Sequence, residues 1–80
     1  MSHKIALECA GRFGKLKAAA EVIDSIDQAD ARIRNLRANK RAELVAEAVG
    51  HINFLEENMA HCPPGVREYL TNIKAQRLLE

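Results

Sequence analysis

The sequence predicts an all-α protein, and three observations lead there. Apolar residues recur at three- and four-residue steps and nowhere alternate as a strand would require. Proline is absent before Pro63 and glycine is confined to Gly11, Gly14, Gly50 and Gly65, so nothing before residue 61 forces a chain reversal. The apolar residues are mostly Ala, Leu, Ile and Val, with only Phe13, Phe54 and Tyr69 aromatic, which suits closely packed helices. The expected architecture is one domain over 1–80: a long N-terminal helix plus two shorter helices, arranged as a helical hairpin or bundle and oligomeric.

The first helix is read from Ile5, Cys9, Phe13, Leu16, Ala20, Ile23, Ile26, Ala29, Ile33 and Leu36, which share one face at about 100° per residue. They predict one helix over 3–37 with Ser2 as its N-cap. Ser25 and Gln28 resemble a capping box, but the stripe keeps its phase across them. Such a helix would be roughly 50 Å long, too long for a compact monomer of this size. A second helix folding back would cover it only to about residue 18, and a third helix must either continue along residues 3–17 or fold back elsewhere; either way apolar surface is expected to remain for a partner chain.

The stripe fails where Arg37, Lys40 and Arg41 occupy its apolar positions. Asn39 is the expected cap of a second helix, 40–60, with Leu44, Val45, Ala48, Ile52, Leu55 and Met59 inward. His61-Cys62-Pro63-Pro64-Gly65 then interrupts the chain. Pro63 disfavours helical geometry at Cys62, and Pro64 suits the first turn of a last helix, 65–79. That helix carries Val66, Leu70, Ile73 and Arg77 on one face, with Tyr69 beside it. Leu16, Ile23, Ile33, Ile52 and Leu55 are the expected core.

Charge and composition narrow the function. Twelve Lys and Arg against eleven Asp and Glu give a net charge of +1, so no global field draws the chain to nucleic acid or an anionic membrane. No apolar run approaches the ~20 residues of a membrane span, and the first residues lack the apolar stretch of a signal peptide. Two cysteines are too few for a disulfide framework. A reduced, cytoplasmic setting is expected, with Cys9 a buried thiol on the stripe.

The motifs yield little chemistry. Ala46 to Gly50 has the spacing of a helix-turn-helix, but Glu56 stands where that motif needs an apolar residue. Glu57, His61 and Cys62, and the face of Glu43, Glu47 and His51, lack the short recurring spacings of a zinc site. No Gly-rich phosphate loop or nucleophile–base pair is present, and three thin helices offer little room for a pocket. No enzyme activity, metal or cofactor is therefore expected, and the histidines read as surface or capping residues.

What stands out is charge order. Asp24, Asp27 and Asp30 step by three residues, as do Arg34, Arg37 and Lys40, and each acid has a base equidistant from residue 32. Two copies of a continuous helix crossing antiparallel there would set every acid near a base, in a two-fold contact. The expected function is a non-catalytic protein–protein interaction module (adaptor, assembly factor or small inhibitor) that partners itself and another protein. The alternative is a nucleic-acid-binding regulator using the basic segment Arg32–Arg41, with Arg34, Arg37 and Arg41 on phosphates. A weaker alternative is a small-ligand binder with its site between subunits.

Overall fold

The computed structural model describes residues 2–80; the Ser2 side chain, expected as a cap, lies outside what is described. Helix accounts for 83 % of the chain, and no strand occurs among the described residues. The order is α1 (Ser2–Gln28), α2 (Ala31–Leu36), α3 (Ala38–Glu57), a 3-10 turn (Met59–His61) and α4 (Val66–Ala75). None of these helices is long and apolar enough to cross a membrane.

The single helix expected over 3–37 is broken at Ala29 and Asp30. Asp30 takes extended geometry, with ψ 166°, and its Oδ1 accepts a hydrogen bond from the Ile33 amide at 3.0 Å. It is thus the N-cap of α2, satisfying one of the amides that a helix start leaves open. The break has an energetic reason. α3 now starts beside the end of α1 and runs back along its length, as Arg41 against Asp27 at one end and Cys9 against Asn58 at the other show. A straight helix to residue 37 would have left the stripe before residue 18 without that cover.

α1 is therefore about 40 Å long, within a molecule of 47 × 21 × 14 Å. Its stripe packs on Leu44, Ala48, Ile52 and Leu55 of α3. Leu16, Ile23 and Leu55 are fully buried and Ile52 nearly so, as expected. Ile33 is not: it lies on α2, which buries no residue, and remains 38 % exposed. Phase on the stripe was a true guide only while a partner helix lay opposite.

α4 closes the third side. Pro63 O accepts from the Val66 amide, and Gly65 adopts φ +89°, open to glycine but costly for other residues. This is the pattern of a turn with Pro64 second and Gly65 third, so Pro64 precedes α4 rather than standing in its first turn. Val66, Leu70 and Ile73 are buried. Tyr69 meets Phe13 edge-to-face, with centroids 5.3 Å apart at 78°. α4 thus packs on the apolar surface of α1 beside α3. It ends at Ala75, four residues early, because Arg77 turns into left-handed geometry at φ 57°. Arg77 therefore leaves the helix face and points to solvent.

Asn39, the expected cap, stands inside α3; Arg37 occupies the cap position without a side-chain bond. α3 runs unbroken through Gly50, so the Ala46–Gly50 spacing marks no turn.

Candidate functional site

The elbow between α1 and α3 is where chemistry collects. Residues 30–40 are all exposed. Leu36 is 72 % exposed, and Ile33 and Val22 are also open. Val22, Ile26, Ala29 and Ile33 line an open groove of about 370 Å³ together with Glu21, Ser25 and Arg37. The same exposed segment carries Arg32, Arg34, Arg37 and Lys40, none in an ion pair among the described residues. Arg34 donates from Nη1 to the carbonyl of Ala29 at 2.8 Å, across the break. Exposed apolar side chains in a segment that carries unpaired cations suit a partner that presents apolar side chains beside acidic ones.

Arg41 belongs to the fold rather than the rim. Its Nε and Nη2 donate to the two carboxylate oxygens of Asp27, at 2.6 and 3.1 Å. Nη2 also donates to Leu78 O at 2.9 Å and Nη1 to Glu80 O at 3.2 Å. One planar guanidinium thereby ties α1, α3 and the segment after α4 together. The bond to Asp27 holds the Arg41 pKa above its ordinary value, against a smaller opposing effect of burial. Of the three residues expected on phosphates, Arg34 and Arg37 are exposed and without an ion pair among the described residues, whereas Arg41 is engaged with Asp27.

The acids expected to meet bases across residue 32 have partners within the chain. Asp24 accepts from Gln28 Nε2 at 2.8 Å, Asp27 holds Arg41, and Asp30 caps α2. With the helix broken at residue 29, the three acids and Arg34, Arg37 and Lys40 no longer lie on one axis. The equidistant pattern describes the sequence but not positions along a single helix.

His51, read as a surface residue on a face with Glu43 and Glu47, is turned into the α1–α3 contact and only 8 % exposed. Neither ring nitrogen has a hydrogen-bond partner; Glu47 Oε1 at 3.9 Å is too far for one. Burial first, then Arg12 and more weakly Lys15, push its pKa below the ordinary histidine value, and Glu47 opposes them. The signal was available: position 51 lies seven residues after Leu44, on the inward stripe. Among the described residues no group of three or more His, Cys, Asp or Glu is placed to hold a metal.

A wider groove of about 660 Å³ lies between α1 and α4, lined by Glu21, Asp24, Tyr69, Asn72 and Gln76 among others. Burial and then the charge of Glu21 raise the Tyr69 pKa. Neither family models, curated proteins nor solved structures match this chain. The functional reading therefore rests on the surface itself.

Proposed function

We propose that this chain is a non-catalytic protein–protein interaction module that docks through the elbow. The observation that carries the reading is Leu36, 72 % exposed on a helix that buries nothing, in the segment that also holds the exposed Ile33 and the unpaired Arg32, Arg34 and Arg37. An apolar side chain held in water gains from being covered, and the cations of the same segment select what covers it. Partners of the required kind are a second copy of the chain or an acidic, amphipathic segment of another protein. A homo-oligomer in a cytoplasmic setting remains part of this proposal, now through the elbow rather than through a continuous helix.

Sedimentation of wild type against Leu36→Glu and Ile33→Glu over a range of concentrations is the test. Self-association lost in both variants, with melting unchanged, supports the reading. A monomer at every concentration removes the homo-oligomer and leaves the acidic partner, to be probed with acidic amphipathic peptides. Exposure of Arg34 and Arg37 also favours a second reading, phosphate contact on nucleic acid. Its mark is DNA or RNA binding that falls steeply with salt, is lost in Arg34→Glu with Arg37→Glu, and survives Leu36→Glu.

A further inference from the structure

The two cysteines, 53 positions apart in sequence, converge on one atom. The carbonyl oxygen of Asn58 accepts from Cys9 Sγ at 3.9 Å and from Cys62 Sγ at 3.4 Å. Cys62 also donates to Leu55 O at 3.5 Å. Cys9 is fully buried in α1, whereas Cys62, at the end of the 3-10 turn, is half-buried and reachable from solvent.

We propose that Cys9 and Cys62 are a dithiol pair that closes to an internal disulfide, cross-linking α1 to the turn before α4. The oxidant is a small-molecule disulfide of the glutathione class. The Cys62 thiolate attacks one sulfur of that disulfide, forming a mixed disulfide and releasing one thiol. The Cys9 thiolate then attacks Cys62 Sγ and releases the second thiol. One disulfide is reduced to two thiols as the protein dithiol is oxidised, and two protons leave the protein.

The difference in exposure orders these steps, because only Cys62 can meet the oxidant first. Burial, and then Cys9, push the Cys62 thiol up to about 11, so little thiolate exists near neutrality and closure accelerates as pH rises. The bridge spans most of the chain. It would restrict the unfolded chain between residues 9 and 62 and raise Tm by on the order of 10 °C. Pro63 follows Cys62 directly, so the cross-linked turn has little freedom to absorb the constraint.

The test uses the whole folded chain titrated with mixtures of oxidised and reduced glutathione at mildly alkaline pH, then acid-quenched for intact-mass analysis and thiol counting. The expected product is a monomer lighter by two hydrogens, with both thiols lost, a raised Tm and full reversal by dithiothreitol. Cys9→Ser should stop at the glutathione adduct on Cys62, and Cys62→Ser should leave Cys9 reduced while folded. A wild-type chain that accumulates the mixed disulfide, forms cross-linked dimers, or keeps both thiols through the whole series while the urea-unfolded chain oxidises would overturn the proposal. Since Cys9 is in the core, Cys62→Ser serves as the decisive variant if Cys9→Ser does not fold.

Discussion

Arg41→Ala is the perturbation that most directly examines how α1, α3 and the segment after α4 are held together. The side chain makes four hydrogen bonds, two to the Asp27 carboxylate and two to the Leu78 and Glu80 carbonyls. A hydrogen bond to a charged group contributes about 1.5–3 kcal/mol when shielded from water, whereas an exposed ion pair contributes about 0.2–1 kcal/mol. Arg41 and Asp27 are 26 % and 35 % exposed at their side chains, which places the pair between these limits. The four bonds share one guanidinium and do not add, so the expected loss is about 2–3 kcal/mol. For a domain of this size Tm should fall by on the order of 10 °C. Arg41→Lys keeps the charge but not the fork and should recover less than half of the loss. Urea denaturation followed by far-UV circular dichroism measures it, with a double-mutant cycle through Asp27→Asn. A loss below ~0.5 kcal/mol, or Arg41→Ala and Asp27→Asn effects that simply add, would refute the clamp. Arg34→Ala and Arg37→Ala are the controls and should each change stability by less than ~0.5 kcal/mol.

Three further outcomes are expected. Leu16→Ala should cost about 2–5 kcal/mol because Leu16 is fully buried, whereas Leu36→Ala should stay within ~0.5 kcal/mol in monomer melting, and equal effects would mean that the two faces are misassigned. His51 has a folded pKa below its unfolded value, so the unfolded chain binds the proton more readily. Its contribution is present above about pH 6.5 and declines as pH falls through that value toward the folded pKa; His51→Gln should flatten this part of the stability–pH curve, and an unchanged slope would count against the assignment. Arg77→Gly should raise stability by about 0.5–1 kcal/mol, since Arg77 holds φ 57° and its bond to Glu80 is exposed; thermal melting that shows a loss would mean that the Arg77 side chain stabilises the turn.

Helical class and most of the core were legible because the periodicity of Cys9, Leu16, Ile23, Ile52 and Leu55 reports burial between long helices. The break at Asp30 was not, because the apolar phase runs from Ile26 through Ala29 to Ile33 whether or not the backbone does. The local sign was an aspartate three residues before Ile33, which reads equally as a helical acid in an i,i+4 pair with Arg34. Arg41 was counted with the basic cluster because sequence neighbours cannot reveal that Leu78 and Glu80 arrive beside it. His51 was hidden by its chemistry: a titratable residue on an inward position looks like a surface one until α1 is laid across it. The approach of Cys9 and Cys62 depends on α3 reaching back to the start of α1, which a continuous first helix would have prevented.

Because α2 buries none of its six residues, the stretch from Ala31 to Leu36 and the packed core answer to separate demands. A substitution there leaves the packing of Leu16, Ile23 and Leu55 untouched, while one in the core leaves the outward chemistry of the corner intact. What the corner recognises can therefore drift, or be rewritten by grafting a different six-residue helix between Asp30 and Arg37, without renegotiating how the rest of the molecule folds. The same independence makes α2 the segment expected to exchange its amide protons first, opening locally while α1 and α3 stay closed.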